Sequence, residues 1–107
     1  MTLDTITVKE IVNRIRRIVE PDRIILFGSA ASGKMDWDSD VDLLILMPSC
    51  HDPRKMATEI RIGLRGLHLA FDIIVMETEG FEETKNVIGG ISYPANKYGK
   101  VIYENAG

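Results

Sequence analysis

Cysteine is nearly absent from this sequence. Cys50 is the single one, which excludes an internal disulfide as a source of stability. The sequence also has no apolar run long enough for a membrane span, and none with the flanks of a secretory signal. These absences predict a cytoplasmic protein with no membrane partner.

Positive charge is in short supply as well. The net charge is −3 and the pI is about 5.3, which argues against a partner nucleic acid bound by neutralising its backbone phosphates. Several basic residues nevertheless gather near the N-terminus, and we interpret them mainly as the solvated face of a helix: Lys9, Arg14, Arg16, Arg17 and Arg23.

The length leaves room for one core. With 107 residues and 45% apolar content, we expect a single domain over residues 1–107, because a chain of this size has little surface to spare for a second core. The sequence contains no repeat, linker or low-complexity tract. One domain must therefore carry any functional site.

Apolar periodicity and turn residues predict helices that alternate with strands. The pattern favours strands at 23–27, 41–47 and 69–76, and a possible short strand at 101–103. Helices fill the intervals, and alternation of this kind is typical of an α/β (α+β) domain in which helices cover a small sheet.

Three helix starts are marked by residues suited to capping. The run Thr7-Val8-Lys9-Glu10 has the form of a capping box. Asp52-Pro53 supplies an N-cap followed by proline at the first helical position. Thr78 is a candidate cap for a short helix that runs to about Asn86.

An acidic loop precedes the second predicted strand. Asp38, Asp40 and Asp42 lie within five residues, and like charges this close repel one another unless a cation or solvent relieves them. Asp40 and Asp42 are two apart at the entry to a strand, so their side chains share one face. Two such carboxylates form half of a Mg²⁺ site, although Asp-x-Asp also commonly opens a strand from solvent.

A third carboxylate interrupts the third predicted strand. Asp72 stands in the apolar run "LAFDIIVM", where burial of a charge without a partner would be costly. If the third strand lies beside the second, Asp72 can reach Asp40 and Asp42.

The turn after the first strand is suited to a phosphate. Gly28 allows a sharp turn and close approach to a ligand, and Ser29 offers a hydroxyl and an N–H group. Taken alone, this pair is as consistent with a plain turn and a helix cap. Its combination with the aspartates favours a site that binds a triphosphate and a metal together.

These motifs resemble those of the DNA polymerase beta-like nucleotidyltransferase superfamily, and in particular its minimal nucleotidyltransferase (MNT) members. The resemblance rests on Gly28-Ser29, Gly33, Ser39-Asp40-Val41-Asp42 and a later strand aspartate, and it spans about residues 7–104. It implies a nucleotidyltransferase fold with a mixed three-stranded core sheet flanked by helices.

The resemblance also implies roles for these residues. Asp40 and Asp42 would bind two Mg²⁺ ions, and Asp72 would join one ion and assist deprotonation of an acceptor hydroxyl. Gly28, Ser29 and Ser39 would bind the nucleotide, an NTP that is expected to be ATP. The reaction would transfer a nucleoside monophosphate to a hydroxyl and release pyrophosphate.

The resemblance further implies a protein partner. MNT members are often paired with a helical HEPN protein in toxin–antitoxin modules, in which the MNT protein transfers AMP to a tyrosine of its partner. We therefore expect a HEPN-type partner, whereas self-association is left open.

One departure from the family pattern leaves an alternative open. Minimal members commonly read Gly-Ser-Arg-Ala-Arg-Gly in the turn, whereas this chain has Ala30 and Ser32 at the two arginine positions. The alternative is a non-catalytic module that binds a nucleotide or a partner. Lys34 could replace part of the missing charge or be a solvated lysine.

Two further features are open to functional interpretation. Trp37 could stack on a base or simply pin its loop to the domain. The run Cys50-His51-Asp52 is a poor zinc site, because adjacent ligands without a second pair do not suit tetrahedral coordination.

Overall fold

The computed structural model describes residues 3–33 and 39–106. Within them the chain forms helices that alternate with strands, in this order: α1 Thr5–Arg16, β1 Arg23–Phe27, α2 Ser29–Ser32, β2 Val41–Met47, α3 Pro53–Gly63, β3 Phe71–Glu77, α4 Thr78–Thr84, α5 Ser92–Tyr98 and β4 Lys100–Glu104. The predicted mixed fold of helices and a small sheet is confirmed. No helix in this part of the chain is long and apolar enough to cross a membrane.

The strands form one mixed sheet in the order β3-β2-β1-β4. β1 pairs antiparallel with both β2 and β4, whereas β2 and β3 are parallel and connected through α3. The family resemblance implied three core strands, and β4 adds a fourth strand at the edge. The short strand expected at 101–103 is thus confirmed and is slightly longer than predicted.

Helices cover both faces of the sheet. On one face, α1 contributes Ile11 and Ile15, and α3 with its C-cap residue contributes Ile60 and Leu64, to a core with alternate residues of β1 and β2. On the other face, Phe81 of α4 and Ala95 of α5 pack on the remaining alternate residues. β2 is therefore apolar at nearly every position, because both of its faces are buried.

Two of the three predicted caps are wrong. α1 begins one turn earlier than the pattern suggested, since the carboxylate of Asp4 accepts a hydrogen bond of 2.7 Å from the Thr7 N–H. Thr78 does not cap α4. Its hydroxyl instead donates to Asp22 Oδ2 at 2.5 Å and contacts the Met47 carbonyl oxygen at 3.2 Å.

The third cap is confirmed. Asp52 Oδ1 accepts from the Lys55 N–H at 3.1 Å, and Pro53 occupies the first turn of α3. Asp52 thus has a structural role as the cap of α3.

Candidate active site

The predicted carboxylates meet at one end of the β2–β3 pair. In the parallel register, Asp42 stands opposite Asp72, and Asp40 immediately precedes β2. The Val41 N–H donates to the Ala70 carbonyl oxygen at 2.8 Å, which fixes the start of β2 against the residue that precedes β3. The third strand therefore lies beside the second, as was required for Asp72 to approach Asp40 and Asp42.

These side chains point to the α4–α5 face of the sheet. Leu44 and Leu46 belong to the core on that face, whereas Leu43 and Ile45 belong to the opposite one. Strand alternation therefore directs Asp42 to the same face as Leu44. Asp72 shares this face because register partners on adjacent strands point the same way.

Burial differs among the three aspartates. Asp42 is half-buried, whereas Asp40 and Asp72 are exposed. The apolar run around Asp72 suggested a strand largely buried on both faces, which is wrong, because β3 lies at the edge of the sheet and several of its residues are only partly covered. Exposure leaves the Asp72 carboxylate accessible to an incoming molecule.

The pKa of Asp42 reflects its partial burial and the repulsion among the three aspartates. Partial burial raises the pKa of its carboxyl group above the usual value, and the nearby charges of Asp72 and Asp40 raise the pKa further. Both causes act against the ionised form. A cation at this position would relieve the repulsion and favour ionisation.

The donor set fits a hard divalent cation. Among residues 3–33 and 39–106, no three His, Cys, Asp or Glu side chains are grouped closely enough to hold a metal by themselves. Mg²⁺ commonly takes only one or two carboxylates and completes its coordination with water and phosphate oxygens. Asp42 and Asp72, with Asp40 beside them, are therefore the residues that would hold it.

Gly28 lies directly against Asp42. Phe27 is the register partner of Asp42 across β1 and β2, and Gly28 follows with φ +69° and ψ −150°. A Cβ atom on Gly28 would lie 2.2 Å from Asp42 Oδ2. The backbone conformation thus favours glycine here, and any larger residue would also force the Asp42 carboxylate to move.

The turn after Gly28 is one short helical segment. In α2, the N–H groups of Ala31 and Ser32 donate to the Gly28 carbonyl oxygen at 3.2 and 3.3 Å, and Gly33 ends the segment with φ +77°. Ser29 is half-buried at its first position. Gly28 and Ser29 therefore lie next to the aspartates, as the phosphate-binding prediction requires, while binding itself stays a prediction.

The two family arginine positions have different environments. Ala30 is 6% exposed and packs in the core of the α1–α3 face, so an arginine would not fit this backbone without moving neighbouring side chains. Ser32 is exposed, and its hydroxyl donates to the Ser29 carbonyl oxygen at 3.2 Å. Alanine at position 30 thus suits the core packing, whereas position 32 faces solvent.

Two lysines near this turn were not predicted as site residues. Lys9 of α1 and Lys100 of β4 line a cavity of about 500 Å³ together with Ser32 and Gly33. Lys9 was interpreted as solvated, and Lys100 lies too far along the chain for spacing to connect it to the turn. Only the antiparallel pairing of β4 with β1 brings Lys100 there.

Some predicted features fall outside the described residues. Lys34, Trp37 and Asp38 are among them. Ser39 is described and half-buried just before Asp40, and its role in nucleotide binding stays a prediction.

Several known proteins are similar to this chain. The family model described as "Nucleotidyltransferase domain" matches residues 8–93. A curated relative from Methanocaldococcus jannaschii, described as "Putative protein adenylyltransferase MJ0141", is 46% identical over 57 residues, which are 50% of this chain and 54% of that protein. The chain therefore matches about half the length of this relative.

Solved structures share the fold at low sequence identity. One, described as "Crystal structure of the toxin-antitoxin with AMP-PNP", has a TM-score of 0.63 and 18% identity and covers 92% of this chain and 74% of that one. Another contains a tri-AMPylated Shewanella oneidensis HEPN toxin in complex with an MNT antitoxin. Its TM-score is 0.54 at 16% identity, and it covers 96% of this chain and 74% of that one. With a family model that matches most of its length, this chain belongs to the nucleotidyltransferase domain family.

Proposed function

We propose that this protein is a metal-dependent nucleotidyltransferase that transfers AMP from ATP to a hydroxyl group of a protein acceptor. The observation that carries the proposal is the register of Asp42 with Asp72, with Gly28 directly against Asp42. Membership of the nucleotidyltransferase domain family supports the reaction class. The description of the curated relative as a protein adenylyltransferase supports the choice of nucleotide and acceptor.

The reaction requires one substitution at phosphorus. The acceptor oxygen forms a bond to the α-phosphorus of ATP, the bond from that phosphorus to the bridging oxygen of the β-phosphate breaks, and pyrophosphate leaves. Bound Mg²⁺ would stabilise the charge that develops on the attacking and leaving oxygens. Asp40 and Asp42 would hold the cation, and Asp72 would join them as a third ligand.

Asp72 would receive the acceptor proton. Its carboxylate is exposed at the edge strand, where a bulky acceptor can approach. Gly28 and Ser29 would position the triphosphate beside the aspartates, because Gly28 lies directly against Asp42 and Ser29 follows it at the start of α2. Ser39 would add a polar contact near the start of β2.

We propose a tyrosine of a helical HEPN-type protein as the acceptor, so that this chain acts as the antitoxin of a toxin–antitoxin pair. The fold is shared with chains of toxin–antitoxin complexes, one of which holds an AMPylated HEPN toxin.

The test uses the purified protein and the product of the neighbouring reading frame. Both are incubated with Mg²⁺ and each NTP in turn, and intact masses are measured. We expect the partner to gain the mass of one or more adenylate groups with ATP, and to gain none with EDTA or with the Asp42→Asn variant. The absence of any nucleotide adduct with all four NTPs would favour the non-catalytic binding module.

A further inference from the structure

A second cavity lies on the opposite face of the sheet from the aspartates. Its volume is about 760 Å³, and it is bordered by the C-terminal part of α3, the turn that follows and the start of β3. Ile62, Leu69 and Phe71 contribute its apolar wall. Ile62 is 51% exposed, so its side chain is accessible to a ligand in the cavity.

The polar part of the cavity is cationic. Arg61, Arg65 and His68 line it, and none of the described residues that line it carries a carboxylate. Neither Arg61 nor Arg65 forms an ion pair within residues 3–33 and 39–106. In a chain with a net charge of −3, two unpaired guanidinium groups beside an apolar wall favour an anionic ligand with an apolar portion.

The cavity and the candidate active site are adjacent along β3, although they lie on opposite faces of the sheet. Ala70 and Phe71 line the cavity, and Asp72 is the next residue along β3. Phe71 packs against the core on the α1–α3 face, so strand alternation places Asp72 on the other face. Because β3 is an edge strand, no further strand of the described sheet blocks a path around it from one face to the other.

We propose that this cavity binds an acidic, apolar segment of the acceptor protein and so presents a nearby hydroxyl group to Asp72. The proposal rests on the proposed function and adds the way in which the acceptor is recognised. Arg61 and Arg65 pair with acceptor carboxylates, and an aliphatic acceptor side chain packs between Ile62 and Phe71. The acceptor chain then passes around the β3 edge.

The geometry determines the spacing within the acceptor. Crossing from one face of a sheet to the other requires a span on the order of 10–15 Å, and an extended chain advances about 3.3 Å per residue. The acidic residues therefore precede or follow the acceptor hydroxyl by about three to five residues. A polypeptide can span the edge in this way, whereas a compact mononucleotide bound at the aspartates cannot also fill the cavity.

A binding experiment tests the cavity without relying on catalysis. The probe is a fluorescein-labelled peptide in which two glutamates and a leucine stand about four residues before a single tyrosine, and its counterpart has glutamine in place of glutamate. Anisotropy is measured with wild-type protein and with the Arg61→Gln/Arg65→Gln variant. We expect the glutamine peptide and the double variant each to weaken binding at least about fivefold, and added salt to weaken binding of the glutamate peptide.

A matched control separates a local contact from net charge. Arg17 and Arg54 are exposed and do not line the cavity, so Arg17→Gln/Arg54→Gln removes the same charge elsewhere. We expect this control to bind the peptide within about twofold of wild type. Equal weakening in both double variants, or no binding of the glutamate peptide at all, would overturn the proposal.

Two further readouts distinguish the possible failures. Binding of Mg²⁺ and ATP to the Arg61→Gln/Arg65→Gln variant should equal that of wild type, because neither arginine lies at the aspartates. Arginine-dependent peptide binding in a protein that transfers no nucleotide would support the cavity and overturn the proposed function. Tighter arginine-dependent binding of a labelled oligouridylate than of the peptide would overturn the cavity proposal in favour of nucleic acid.

Discussion

Asp42 of β2 and Asp72 of β3 are register partners in a parallel strand pair. Two carboxylates opposite each other on one face of a sheet repel, and cross-strand pairs of like charge are destabilising. Asp40 adds a third negative charge nearby, and beyond the effect of partial burial the charges of Asp72 and Asp40 both raise the pKa of Asp42. Repulsion among these carboxylates lowers the stability of the fold, but the same three charges are suited to binding a cation. A loss of stability in exchange for binding is typical of functional sites.

The contact between Gly28 and Asp42 gives a prediction with an internal control. Gly28→Ala should abolish nucleotide transfer, because the new Cβ would lie 2.2 Å from Asp42 Oδ2 and displace the carboxylate. Gly90 has nearly the same φ, +66°, and a Cβ there would meet nothing within 4 Å. Gly90→Ala should therefore show only the backbone cost of about 1–2 kcal/mol and retain transfer.

Urea unfolding and transfer assays of both variants check this prediction. Gly28→Ala should be the less stable of the two, since it has the steric conflict in addition to a strained backbone. Retained transfer in Gly28→Ala would show that the position of the Asp42 carboxylate is not critical.

Asp72 allows function to be separated from stability. Asp72→Asn should abolish transfer and leave the protein without divalent cations slightly more stable, by no more than about 1 kcal/mol, because the side chain is exposed and its charge repels Asp42. Glu83 is also exposed and lies on α4, so Glu83→Gln serves as a control of equal charge change. Wild-type transfer by Asp72→Asn would remove Asp72 from the mechanism and require another proton acceptor.

The sequence was sufficient to predict which residues come together as a candidate site, but not their environment. Asp40, Asp42 and Gly28 could be predicted because their spacing relative to strand ends is local information. That β3 is an edge strand, and Asp72 therefore exposed, depends on strand order, which apolar periodicity does not encode. The cationic cavity was missed for the same reason, since it forms only when α3 and β3 pack together.

Competing hydrogen-bond partners explain the errors at the helix starts, one of them local and the other tertiary. Thr7-Val8-Lys9-Glu10 satisfies the capping-box pattern, but Asp4 lies one turn earlier and caps the helix through the Thr7 N–H. At α4, the Thr78 hydroxyl reaches Asp22 and the end of β2 instead of its own helix. Tertiary hydrogen bonds of this kind cannot be deduced from a four-residue pattern.

Mg²⁺ and ATP should bind together more tightly than either does alone. The cation reduces repulsion among the aspartates and screens the triphosphate from them, so each ligand improves the site for the other. Calorimetric titration of ATP into wild-type protein should give a stronger affinity with Mg²⁺ than with EDTA. The Asp40→Asn/Asp42→Asn variant should lose most of this difference, and an equal ATP affinity under both conditions in wild type would contradict the coupling.

The raised pKa of Asp42 predicts how stability depends on pH without a divalent cation. Partial burial and the charges of Asp72 and Asp40 raise the folded pKa above the unfolded value of about 4, so the folded state binds more protons than the unfolded state between these two values. Stability contributed by this group is present below the unfolded pKa and is lost as the pH rises through the folded pKa. Asp42→Asn removes the titrating group while keeping a similar shape, so it should flatten this part of the profile and raise the melting temperature at neutral pH.

Added Mg²⁺ should raise the melting temperature of wild type at neutral pH and have a much smaller effect on Asp42→Asn. Thermal melts of both proteins from pH 3.5 to 7.5, with EDTA and with Mg²⁺, make the comparison; parallel profiles that Mg²⁺ does not alter would show that Asp42 carries neither the electrostatic cost nor the cation.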